Sequence, residues 1–122
     1  MKLTVLQENL YKALSLTSRF ANSKAQLPVL GNILFSAKEN KLTLAATNLE
    51  TSVVYSIGAK VEKKGEITIP ARIISELVSI LDAGQITLVA EKERLKISTQ
   101  SFSSDISGMN SADFPEVPTS ID

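Results

Sequence analysis

The side chains able to do chemistry are few and scattered. The carboxylates Glu8, Glu50, Glu76, Asp105 and Asp113 are far apart in sequence, and no spacing makes any two of them an acid–base pair. Histidine is absent, which removes the commonest general base and the commonest metal ligand. Cysteine is absent too, so there is neither a disulfide framework nor a thiolate metal site. No glycine-rich phosphate loop occurs. No catalytic residue, metal or cofactor is expected, and solvated surface charge is the default for each carboxylate. Thirteen basic and thirteen acidic residues cancel. A strongly basic DNA-reading domain is therefore excluded, and any work on DNA must rely on something other than bulk charge.

What remains is a scaffold, and its organisation is legible as an internal repeat. Lys2–Thr17 aligns without a gap to Glu66–Leu81, at an offset of 64. Leu3 and Val5 match Ile67 and Ile69 with the two-residue alternation of a strand, and Leu10 and Leu14 match Ile74 and Val78 at helical spacing. A second block, Ile33–Thr47, aligns to Ile86–Gln100 at an offset of 53. Both members of that block read as hairpins with tight polar turns, and third strands follow at Ser52–Ile57 and Ser101–Ile106. Each half reads strand–helix–strand–strand–strand. The spacing predicts an α+β domain with two helices side by side on one face of antiparallel sheets.

The offsets differ because the helix-to-strand loop of the first half, Arg19–Gly31, is 11 residues longer than its counterpart. Added loop length on a repeated scaffold is a common place for function, although Leu27, Val29 and Leu30 could equally serve to cover the sheet. Helix one is expected from about Gln7 to Phe20, with Leu10, Ala13, Leu14 and Thr17 inward. Glu8, Lys12, Ser15 and Arg19 fall on one outer face, with Glu8 and Lys12 spaced for an ion pair. Helix two opens at Pro70-Ala71 and is expected to stop near Asp82-Ala83-Gly84. Its inner stripe is Ile74, Leu77, Val78 and Leu81. Ile73 and Ile80 widen the apolar surface, and Ile73 reads either as flanking core or as a contact with another domain.

No apolar run approaches a membrane span, and Gln7, Glu8 and Asn9 interrupt the N-terminus too early for a signal-peptide core. A cytoplasmic protein is expected. From the residues alone, a stand-alone α+β module binding a protein or ligand and a nucleic-acid scaffold both stay open. A metal-dependent nuclease or transferase is the weakest reading.

Five segments carry the reading further: MKLTVLQENLYKAL at the N-terminus, LPVLGNILF at Leu27–Phe35, LTLAATNLETSV at Leu42–Val53, ITIPARIISELVSIL at Ile67–Leu81, and ADFPEVP at Ala112–Pro118. Together they resemble the first domain of the bacterial β sliding clamp, the β subunit of DNA polymerase III. The resemblance implies a domain at 1–118, with 119–122 beginning the linker to further domains. It implies a non-enzymatic processivity subunit: a homodimeric ring around double-stranded DNA that tethers the polymerase. Clamp loader and polymerase III subunits would bind through domains beyond this chain, which by itself would be a monomer.

The resemblance also implies roles for particular residues. Lys24 falls where the family's DNA-touching loop carries a basic residue, usually Arg; Lys keeps the charge but not the forked geometry. Arg72 lies in the matched Pro-Ala-Arg element, and Lys12 and Arg19 sit on the helix that would face the channel. For all four, a solvated surface charge is the alternative. The last strand and the start of helix two would meet the other subunit, which points to Ile73, Phe102, Ser104 and Ile106. Better-known members carry basic residues where this chain has Ile73, Ser101 and Ser103, so the resemblance does not extend to an ion-paired contact. The last strand is expected at a sheet edge, with Phe102 or Ile106, beside Ile73, partly exposed.

Overall fold

A computed structural model describes residues 1–21, 31–47 and 51–109. Lys24 and the rest of the loop core, Asn48-Leu49-Glu50, the Ala112–Pro118 segment and the expected boundary at 118 lie outside the described residues.

The elements follow the apolar patterning. They are β1 (Lys2–Leu6), α1 (Gln7–Thr17) with a 3₁₀ turn at Ser18–Phe20, β2 (Asn32–Lys38), β3 (Lys41–Thr47), β4 (Ser52–Gly58), β5 (Lys60–Lys63), β6 (Gly65–Pro70), α2 (Ala71–Ile80), β7 (Gln85–Glu91), β8 (Arg94–Ser98) and β9 (Ser103–Ser107). Leu10, Ala13, Leu14 and Thr17 form the buried face of α1. The buried Thr17 hydroxyl donates to the Ala13 carbonyl at 2.9 Å, so it enters the core satisfied. Helix α2 begins directly after Pro70 and buries Ala71, Ile74 and Val78. It stops at Ile80, earlier than the glycine signal implies, because Leu81 is already extended. Gly84 instead supplies a φ of 137° on the way into β7.

The strands form a five-stranded sheet, β5-β1-β7-β8-β9, and a four-stranded sheet, β4-β3-β2-β6, with every pairing antiparallel. The two halves exchange their first strands. β1 pairs with β7 of the second half, Leu3 opposite Leu88 and Val5 opposite Ile86. β6 pairs with β2 of the first half, Ile67 opposite Phe35 and Ile69 opposite Ile33. These are the same pairs under the repeat, and all eight side chains lie in one buried core. Each such apolar side chain contributes roughly 1.5–3 kcal/mol by leaving water. The exchange makes the two halves one cooperative unit.

The exchange is completed by strand crossings that periodicity does not reveal. β4 runs on through Ala59 into β5, which pairs with β1. β9 runs on through Gly108 to Met109, which bridges Thr68 of β6. At the two crossings the Ala59 amide donates to the Asn40 carbonyl at 3.1 Å, and the Gly108 amide donates to the Glu93 carbonyl at 2.7 Å. Thr68 is fully buried. Its hydroxyl accepts from the Asn32 side-chain amide at 3.2 Å and donates to the Met109 carbonyl at 3.0 Å.

Candidate nucleic-acid interface and subunit edge

The helices lie side by side. The Gln7 side-chain amide donates to the Val78 carbonyl at 2.9 Å and joins the start of α1 to the last turn of α2. At the other end, Ser18 and Ala21 face Ala71, Arg72, Ser75 and Glu76 across a shallow open cleft that Gly31 also lines. Lys12, Arg19 and Arg72 are all solvent-exposed on this helical layer. Among the described residues the ion pair formed is Lys2–Glu62, at 3.3 Å on the five-stranded sheet. Glu8 and Lys12 have the right spacing but are not joined. No ion pair within the described residues engages the three helical cations. No group of three or more His, Cys, Asp or Glu side chains suited to a metal occurs among the described residues. No helix among them is long and apolar enough to cross a membrane.

The second candidate feature is the β9 edge. β9 pairs with β8 on one side, Leu95 opposite Ile106 and Ile97 opposite Ser104, and occupies the end of its sheet. Its other row of backbone donors and acceptors is a template for a further strand. The structure separates the four residues assigned to this edge. Ile73 is 51% exposed and Phe102 36% exposed, whereas Ser104 is half-buried. Ile106 is 5% exposed and belongs to the domain's own core. Within the described residues Ile106 packs opposite Leu95, while Ser104 lies opposite Ile97.

Ile80, which the sequence places with Ile73 on a widened apolar surface, is the most exposed large apolar side chain of the described residues, at 74%. It lies one heptad from Ile73, on the same exposed flank of α2.

The described residues form a duplicated domain of two helices and two antiparallel sheets. Residues 1–118 match the family described as DNA polymerase III beta subunit, N-terminal domain, and the chain belongs to that family. It is 37% identical to a beta sliding clamp of Synechocystis, covering 98% of this chain and 33% of that relative. It is 31% identical to the beta sliding clamp of Escherichia coli K12, over 96% of this chain and 32% of the relative. Among solved structures, the DNA polymerase III subunit beta of Pseudomonas aeruginosa superposes with a TM-score of 0.88 at 29% identity, covering 96% of this chain and 32% of that one. A Helicobacter pylori beta clamp superposes with a TM-score of 0.91 at 25% identity, covering all of this chain and 33% of the other. The chain therefore spans about a third of the length of these relatives. The α+β clamp-domain fold agrees with this membership.

Proposed function

We propose that this domain is the first of several in a sliding-clamp subunit that closes as a homodimer around double-stranded DNA and tethers the replicative polymerase. The observation that carries the reading is the family match along residues 1–118. On this reading 1–118 is the domain, 119–122 begin the linker, and the protein works in the cytoplasm. Clamp loader and polymerase III subunits engage the remainder of the subunit. Lys12, Arg19 and Arg72, with Lys24 from the long loop, face the DNA phosphates. The β9 edge with Ile73 and Phe102 meets the second subunit. The balance of thirteen acidic and thirteen basic residues suits a ring that must slide, because topology rather than grip retains the DNA.

The isolated domain should accordingly bind short duplex DNA weakly. The four named cations offer a salt dependence of log K no steeper than about −3.6, from roughly −0.9 per phosphate neutralised. Fluorescence anisotropy with a labelled short duplex at physiological salt should show little binding. Tight, sequence-specific binding would overturn topological retention.

A further inference from the structure

The two halves of the repeat place charge differently at their hairpin ends. In the second half Glu91 lies opposite Arg94 beside the β7–β8 turn, and Lys96 lies opposite Asp105. Opposite charges face each other across the ladder, which favours the pairing. The matching turn of the first half puts Lys38 opposite Lys41, both exposed. A second like-charged pair, Lys2 opposite Lys63, lies on the neighbouring sheet. Like charges directly opposite each other weaken a ladder.

These lysines are held together at one corner. Glu39 and Asn40, at the tip of the β2–β3 turn, take positive φ values of 51° and 58°, which closes a tight two-residue hairpin. The Asn40 carbonyl accepts from the Ala59 amide at 3.1 Å, and the Asn40 side-chain oxygen accepts from the Val61 amide at 3.4 Å. The turn is thereby fastened to the crossing from β4 to β5, where Lys60 and Lys63 lie. Lys64 directly precedes β6, whose Gly65 pairs with Ala37, next to Lys38. Lys38, Lys41, Lys60, Lys63 and Lys64 are all exposed, and none of them forms an ion pair among the described residues. Of the carboxylates nearby in the chain, Glu62 is engaged by Lys2, which leaves Glu39 and Glu66 against five lysines.

We propose that this lysine corner docks an acidic, extended segment of a partner protein. The proposal does not depend on the ring reading, because the five lysines lie on strands and turns rather than on the helices assigned to DNA. Carboxylates set among Lys38, Lys41 and Lys60 relieve a repulsion that the fold itself leaves uncompensated. A peptide fits this corner better than a nucleic acid does. No arginine is present there to fork onto a phosphate, and the aromatic ring of the adjoining strand, Tyr55, packs against the core rather than offering its face to a base. Glu39 and Glu66 repel an unbroken line of phosphates, whereas a peptide can place its carboxylates between them.

The test is fluorescence anisotropy of a labelled decaglutamate peptide titrated with the full-length protein at low salt. The parent should bind, and added salt should weaken the complex. Lys38→Glu with Lys41→Glu should weaken it by about tenfold or more, since attraction becomes repulsion at two positions. Lys41→Glu alone separates docking from a structural role. It recreates the opposite-charge pairing of Glu91 and Arg94, so the melting temperature should hold or rise while peptide binding falls. Arg94→Glu, a charge reversal at the matching turn of the second half, should leave peptide binding at the parent's level. A parent that does not bind the peptide, binding that survives the double reversal, or an equal loss with Arg94→Glu overturns the proposal. A melting temperature that falls together with binding in Lys41→Glu would assign the lysines to folding instead. A labelled oligothymidylate of similar charge serves as the second probe: if the double reversal weakens it more than the peptide, the corner is a nucleic-acid site and the proposal fails.

Discussion

Replacing Ile106 with aspartate is expected to unfold the domain or lower its melting temperature by more than about 20 °C. Ile106 of β9 lies opposite Leu95 of β8, 5% exposed, within the main core that both sheets share. The substitution removes a buried branched side chain, worth about 2–5 kcal/mol with its cavity. It also places a carboxylate among Leu95, Ile97 and their neighbours with no cation in the core to pair it. The sum, on the order of 5 kcal/mol, is comparable to the whole stability of a small domain. Thermal unfolding followed by circular dichroism reads this directly. A melting temperature within a few degrees of the parent would mean that Ile106 faces a subunit boundary after all. The contrast with Ile80→Asp is the useful one: the same chemical change at a 74%-exposed position should alter stability by under about 0.5 kcal/mol.

Gly108→Ala is the second change with a large expected effect. A Cβ at Gly108 would run into the carbonyl oxygen of Thr68 and come within 2.8 Å of the Ile69 Cδ1. The Ile69 side chain can yield, but the Thr68 carbonyl cannot, because β6 is held to β2 along its length. That carbonyl also accepts from the Met109 amide at 2.9 Å, while the Thr68 amide donates to the Met109 carbonyl at 3.1 Å. Pushing the crossing away from β6 breaks this bridge and leaves the buried Thr68 hydroxyl without its acceptor. Overpacking of about 1–3 kcal/mol and one or two lost hydrogen bonds of about 1 kcal/mol each give roughly 3 kcal/mol. A fall in melting temperature on the order of 15 °C follows for a domain of this size. Ala59 already carries a Cβ at the equivalent crossing, so Ala59→Gly should have a far smaller effect. Equal tolerance at both positions would show that Gly108 is not under this constraint.

Much of the architecture is legible because it is written in local periodicity. Leu3 and Val5, and Ile86 and Leu88, alternate as half-buried strands do, and the inward stripe of α1 follows from helical spacing residue for residue, whereas β2 is buried on both faces from Asn32 to Ala37. β5 escapes such reading because Lys60–Lys63 offers a single apolar residue, Val61, and its place comes from pairing with β1 rather than from a pattern of its own. The exchange of β1 and β6 is hidden for a related reason: alternation tells which face a residue takes, not which neighbour a strand chooses. Phe102 and Ile106 show the same limit at the level of the site. Both are large and apolar, but Ile106 lies within β9 and packs inward opposite Leu95, while Phe102 just precedes the strand and stays at the rim. Arg72 and Ile73 stand out through a recognisable Pro-Ala-Arg helix start. Ile80 carries no motif, and only its helical spacing from Ile73 marks it.

Topological retention of DNA is tested most directly with the full-length protein loaded onto nicked circular duplex by its clamp loader, followed by linearisation of the DNA at a single site. Enclosure predicts long retention on the circle and rapid loss once a free end exists, with little dependence on the sequence of the DNA. Equal retention on circular and linear DNA would contradict it, because the protein would then be held by contacts rather than by its closed ring.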